Sequence, residues 1–232
     1  TAETPTLSLE EKKKLLAISK EHCGGLPLLV GCGSNSVAAT LENIRQLPGA
    51  DAYLVVVPFY NKPTQEGMYL YFKAIAEAAQ APVVIYNVPG RTGANMLAST
   101  ALRLAREVPG IIGIKEASGK MDQCREIIDG APQGFSVLSG DDDMTFELIK
   151  AGGDGVISVA SNALPREVSL MCHLALEGQF AQASALNDKL LPLMKGCFIE
   201  SNPIPVKAAL AELGLCKAGV RIPLTEATAQ TT

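Results

Sequence analysis

The sequence predicts an α/β protein built on a parallel sheet, and three observations carry the prediction. Six short apolar runs, at 27–31, 53–57, 82–86, 111–115, 135–139 and 155–159, are rich in aliphatic residues and do not alternate with polar ones. Strands covered on both faces read this way, because neither face meets water. The runs recur about every 20 to 30 residues, the length of one strand–helix unit. Between them lie amphipathic stretches with recognisable helix ends.

In chain order, Ser8-Leu9-Glu10-Glu11 is a capping box ahead of Leu15, Leu16 and Ile18. Its hydroxyl and carboxylate satisfy the orphan N–H groups of a first helix turn. The run at 27–31 opens into Gly31-Cys32-Gly33, and the run at 53–57 into a loop stiffened by Pro58 and Pro63, with a helix over 68–79. The run at 82–86 ends in Tyr86 and precedes a helix over 97–107; the run at 111–115 ends in Lys115 and precedes one over 121–128. Helices over 143–151 and 165–176 follow the last two runs. Beyond them the pattern is helical only, over 180–198 and 203–213, with a Pro-rich turn between. Gly or Pro closes several of these helices.

Six consecutive units with right-handed crossovers build an open doubly wound sheet or most of a barrel. The polar residues favour the barrel: Cys32 and Ser34, Tyr60 and Asn61, Tyr86 and Asn87, Lys115 and Glu116, and 140–142 all fall at or just past strand C-terminal ends. In a (β/α)8 TIM barrel those ends converge on the mouth that carries the chemistry. Residues 1–160 are expected to supply barrel units, and 161–232 a C-terminal helical part that includes the last barrel helix. Six strands should not close a barrel. The native protein is therefore expected to be longer, with Thr232 inside the start of a further helix.

The 232 residues, 47% hydrophobic and 19% charged, suffice for one substantial core. A net charge of −4 with scattered basic residues argues against nucleic acid and anionic membrane as partners. No apolar run approaches the ~18 residues of a membrane span, so a soluble protein is expected. Cys23, Cys32, Cys124, Cys172, Cys197 and Cys216 form no C-x-x-C pair, and buried free thiols in a reducing, cytoplasmic setting are expected. His22 and His173 have no partner at ligand spacing, which argues against catalytic zinc.

Lys115 at the rim of a dry barrel would lose solvation, and a neutral amine attacks ketones to form imines. A lysine that only snorkels at a strand end fits the spacing as well. Tyr86 could pass a proton and Arg91 could clamp a carboxylate; a packed Tyr and a solvated Arg are the plain alternative. Tyr60 alone reads as interface or core filler. The acidic run 141–143 could hold magnesium, but a helix begins there, and N-terminal capping is the expectation. Gly31-Cys32-Gly33 followed by Asp51 imitates a dinucleotide fingerprint, yet Ser36 replaces its third glycine.

Six segments, in order, resemble the dihydrodipicolinate synthases. They are 57–67 (VPFYNKPTQEG), 86–93 (YNVPGRTG), 113–119 (GIKEASG), 138–142 (LSGDD), 155–159 (GVISV) and 202–207 (NPIPVK). The resemblance implies that Lys115 forms a Schiff base with pyruvate and that Tyr86 donates and accepts protons. It implies that Tyr60 reaches into a neighbouring subunit's site, and that Arg91 binds the carboxylate of L-aspartate 4-semialdehyde. Thr1 matches the second threonine of the family's Gly-Thr-Thr-Gly-Glu loop and would contact the pyruvate carboxylate. The Ile157 backbone would hold pyruvate, and Gly140 would line the pocket. A homotetramer built as a dimer of dimers is implied, with no metal or organic cofactor.

The sequence departs from the family in places. Ala2 stands for the loop's usual Gly, and the first threonine, which links Tyr86 to Tyr60, is not in the chain. Leu9 and Ala39 replace the histidine and glutamate of lysine-sensitive relatives, and Phe59 replaces a tyrosine, while Asn35 is kept. Weak or absent lysine inhibition is expected. The alternatives are a sialate or sugar-acid aldolase of the same superfamily, a nucleotide-binding module, and a barrel without catalysis.

Overall fold

A computed structural model describes residues 1–229 and 231. It holds six parallel strands in the order of the chain: β1 (Leu29–Gly31), β2 (Ala52–Val56), β3 (Val83–Asn87), β4 (Ile111–Glu116), β5 (Ser136–Ser139) and β6 (Gly155–Val156). Each strand pairs with the next in parallel, and β1 and β6 remain edges. The sheet is thus a curled, open portion of a TIM barrel. The central strands are dry, with Val55, Val83, Ile85 and Ile114 wholly buried.

The helices are α1 (Leu9–His22), α2 (Val37–Gln46), α3 (Gln65–Ala78), α4 (Pro89–Thr92), α5 (Ala98–Glu107), α6 (Met121–Gly130), α7 (Thr145–Lys150), α8 (Pro165–Leu176), α9 (Phe180–Gly196) and α10 (Ile204–Glu212). The capping box forms as expected: Glu11 N donates to Ser8 Oγ at 3.2 Å and Ser8 N to Glu11 Oε2 at 2.8 Å. Yet α1 buries none of its residues, and Leu15 and Ile18 stay 46% and 43% exposed beside the open edge at β1.

Four points differ from the expectation. Helix α2 went unread, although Ser36 caps it through Ala39 N and Val37, Leu41 and Ile44 share one face. Strand β6 stops at Val156 instead of 159, because the chain turns into a 3-10 segment at Ala160–Asn162. The cysteines are all free, but only Cys32, Cys124 and Cys197 are buried, and Cys216 is exposed. At the end of the chain, 225–229 are not helical, and Thr232 lies outside the described residues.

Candidate active site

The parallel register of β3 and β4 sets Tyr86 opposite Lys115 and Asn87 opposite Glu116. Side chains alternate across a strand, so each pair takes its own face of the sheet. On the inner face the Lys115 Nζ stands 4.2 Å from the centroid of the Tyr86 ring. Lys115 is only 8% exposed. Gly140, at the exit of β5, makes room for it: a Cβ there would come within 2.4 Å of Ala117 Cβ and 3.1 Å of Lys115 Cε.

Burial pushes the Lys115 amine down to about 8; Asp142 and then Asp141 oppose the shift, and Arg91 adds to it. About a tenth of the amine is then neutral at neutral pH, against well under a thousandth for an exposed lysine. That fraction is what can attack a carbonyl. Burial likewise raises the Tyr86 hydroxyl, so it holds its proton until a partner takes it.

The outer face keeps this pair in register. Glu116, 2% exposed, accepts from Asn87 Nδ2 at 2.9 Å, Gln123 Nε2 at 3.1 Å and Ser118 N at 2.8 Å. Asn87 in turn accepts from Met96 N at 3.0 Å. Slipping the pairing by one residue would strand this buried carboxylate and turn Lys115 away from Tyr86.

The other expected site residues are spread around the mouth. Arg91, on α4, is exposed and donates from Nη2 to the Asn202 carbonyl at 3.3 Å. Thr1 stands close enough to Lys115 and Arg91 for their charges to act at its nitrogen. Two residues on, Glu3 takes Lys207 Nζ at 2.5 Å and Arg221 N at 2.7 Å, tying this segment to α10 and the chain beyond it. Ile157 donates its N–H to the Ser139 carbonyl at 2.9 Å and so extends the ladder past β6.

Tyr60 does not join the group within this chain. Its ring is 87% exposed, and its backbone sits at φ 70, in the left-handed region that non-glycine residues seldom occupy.

Two carboxylates have a place other than the expected one. The run 141–143 was expected to cap the next helix, but neither the 3-10 turn at Asp142–Met144 nor α7 has a side-chain cap. Burial, then Asp143, raises Asp141 to about 6 despite a hydrogen bond from the Gly119 backbone. Asp142, 1% exposed, accepts instead from Val159 N and Ala160 N, at 2.9 and 3.0 Å. Its place at a strand's C-terminal end, beside the other polar residues of the mouth, was the available signal. Among the described residues, no group of three or more His, Cys, Asp or Glu side chains is placed to hold a metal ion.

The whole chain, residues 1–232, matches the model of the dihydrodipicolinate synthetase family. A 4-hydroxy-tetrahydrodipicolinate synthase of Pseudomonas putida (strain W619) is 51% identical over 228 residues, covering 97% of this chain and 78% of that protein. The crystal structure of dihydrodipicolinate synthase from Thermotoga maritima superposes with a TM-score of 0.96 at 44% identity, over 99% of this chain and 80% of that one. A structure described as the first monomeric dihydrodipicolinate synthase variant matches equally, at 0.96 and 44%, over 99% and 78%.

Proposed function

The chain belongs to the dihydrodipicolinate synthetase family, and on that premise we propose how its residues carry out the family's condensation. The activity is that of a 4-hydroxy-tetrahydrodipicolinate synthase, a lyase that joins pyruvate to L-aspartate 4-semialdehyde. The observation that carries the mechanism is the dry, partly neutral amine of Lys115 held against Tyr86.

In this reading, Lys115 Nζ attacks C2 of pyruvate and forms the N–C bond. The ketone oxygen leaves as water, taking one proton from the amine and one from solvent, both relayed by Tyr86. The resulting iminium loses a methyl proton and becomes an enamine. Its C3 attacks the aldehyde carbon, and the new alkoxide takes a proton. The amine of the former semialdehyde then adds to C2, closes the ring and expels Lys115. The iminium is itself the electron sink, so the reading requires no metal and no organic cofactor.

Thr1 and the Ile157 backbone hold pyruvate in this scheme, Gly140 shapes the pocket, and Arg91 presents its planar fork to the carboxylate of the aldehyde. A sugar-acid aldolase would instead need partners for a polyol chain, and Arg91 argues against it. The exposed, strained Tyr60 fits a side chain that completes the site of a second copy, hence a dimer and, by pairing of dimers, a homotetramer. Residues 1–160 supply the barrel units, and 161–232 the C-terminal helical part that includes the last barrel helix. Among the described residues, no helix is long and apolar enough to cross a membrane, and the cytoplasm is the proposed location.

The test is to incubate the protein with pyruvate, reduce with borohydride and map the adduct by mass spectrometry. A pyruvate-derived mass on Lys115 is expected, with turnover on L-aspartate 4-semialdehyde and none on a sugar aldehyde. A folded protein that gives no adduct overturns the mechanism.

A further inference from the structure

The exit of β5 touches both the reactive lysine and the neighbouring strand. Gly140 abuts Lys115 Cε, while Ser139 and Asp142, on either side of it, grip the turn that leaves β6. Ser139 gives its carbonyl to Ile157 N at 2.9 Å. Asp142 Oδ2 receives Val159 N at 2.9 Å and Ala160 N at 3.0 Å. The second carboxylate oxygen, Oδ1, is buried and has no hydrogen-bond partner. A carboxylate that is 1% exposed with one oxygen unmatched costs stability, and an apolar residue or a serine would avoid that cost.

We propose that Asp142 is a positioning residue for the reaction: it clamps the β6 turn so that the Ile157 backbone keeps its station beside Ser139 at the mouth, and it lends fixed negative charge to the cation formed at Lys115. The inference rests on the Schiff-base reading given above. The neutral Lys115 amine becomes an iminium cation once water has left, in surroundings too dry to solvate it. A preoriented anion stabilises that charge without reorganising. The charged and titratable groups around Lys115 are Tyr86 from β3, Arg91 from α4, and Asp141 and Asp142 from the β5 exit. Arg91 is cationic and burial raises Asp141 to about 6, so Asp142, whose Oδ2 receives two backbone N–H donors, is the carboxylate placed to offset the new cation. Of the influences that oppose the depression of Lys115, Asp142 is the largest. Its charge also adds to burial in raising the Cys172 and Cys197 thiols, each to about 11.

The experiment compares wild type with Asp142→Asn, which keeps an acceptor oxygen for the two N–H groups and removes the charge. The acid limb of kcat/KM for pyruvate, which follows deprotonation of Lys115, should move to lower pH by about 1, and kcat should fall by about tenfold. A purely structural carboxylate would alter the melting temperature and leave that limb in place. Asp142→Glu retains the charge and displaces the clamp: the limb should stay and the KM for pyruvate rise several-fold. An unmoved limb in Asp142→Asn overturns the charge, and an unchanged KM in Asp142→Glu overturns the clamp. Should Asp142→Asn not fold, Asp142→Ser tests the charge in its place and Asp142→Glu still tests the clamp. Borohydride trapping on the wild type runs alongside: no adduct there sinks the Schiff-base reading, whereas an adduct with unaltered variants sinks only the role of Asp142.

Discussion

Replacing Lys115 by Met should make the protein inactive and, at neutral pH, more stable. The folded site lowers this amine from 10.5 to about 8. At 1.36 kcal/mol for each tenfold change, holding the charged form in place costs the folded state about 3 kcal/mol. The Tyr86 ring, 4.2 Å away, returns about 1 kcal/mol through its cation–π attraction. The net gain for Lys115→Met is about 2 kcal/mol, or about 4–8 °C in melting temperature for a chain of this length.

The pH dependence fixes the cause. Below about 8 both folded and unfolded chains carry the ammonium, and the wild type bears the whole cost. Between 8 and 10.5 the unfolded chain still binds the proton that the folded one has shed, so wild-type stability rises with pH. Urea unfolding of both proteins should therefore show a gap that is full at about pH 7 and roughly halved by about pH 9.5. A variant no more stable than wild type at neutral pH, or a gap that ignores pH, would refute the claim that the lysine is held dry at a cost to the fold.

Other outcomes follow from the same geometry. Tyr86→Phe keeps the ring against Lys115 and removes the proton carrier; kcat should drop by about 10²–10⁴ with the melting temperature little changed, as steady-state kinetics and calorimetry will show. Asp141 is raised from 3.8 to about 6, so between those values the folded state holds a proton the unfolded state has lost, and stability falls as pH rises. Asp141→Asn should thus stabilise the protein by about 1–2 kcal/mol at neutral pH, after allowance for solvent screening, and by almost nothing below about pH 4. On the resemblance that sets Leu9 and Ala39 where lysine-sensitive relatives carry a histidine and a glutamate, a lysine titration of the activity should show weak inhibition or none, and strong inhibition would contradict that correspondence.

Much of the architecture could be read in advance because it rests on local patterns. Continuous aliphatic runs mark doubly covered strands, and all six proved to be strands of one parallel sheet. Lys115 and Tyr86 could be singled out because each closes such a run, and the order of the motifs identified the family. Helix α2 was legible too, through Ser36 and its apolar spacing, although the glycines before it also fit a nucleotide loop. What the motifs could not supply was distance: that Tyr86 and Lys115 face one another depends on a β3–β4 register secured by Glu116 and Asn87 on the opposite face.

Sequence alone thus determined the strand–helix order and the parallel sheet, since both follow from periodicity, and it marked Lys115 through the family resemblance of the motif around it. Only the tertiary structure decided the dryness of Lys115, the end of β6 and the role of Asp142. The partners of Asp142, Val159 and Ala160, stand 17 and 18 residues further on. A hydrogen bond between separate strand–helix units leaves no periodic trace. An acidic residue ahead of a helix looks the same whether it caps that helix or crosses to the next strand.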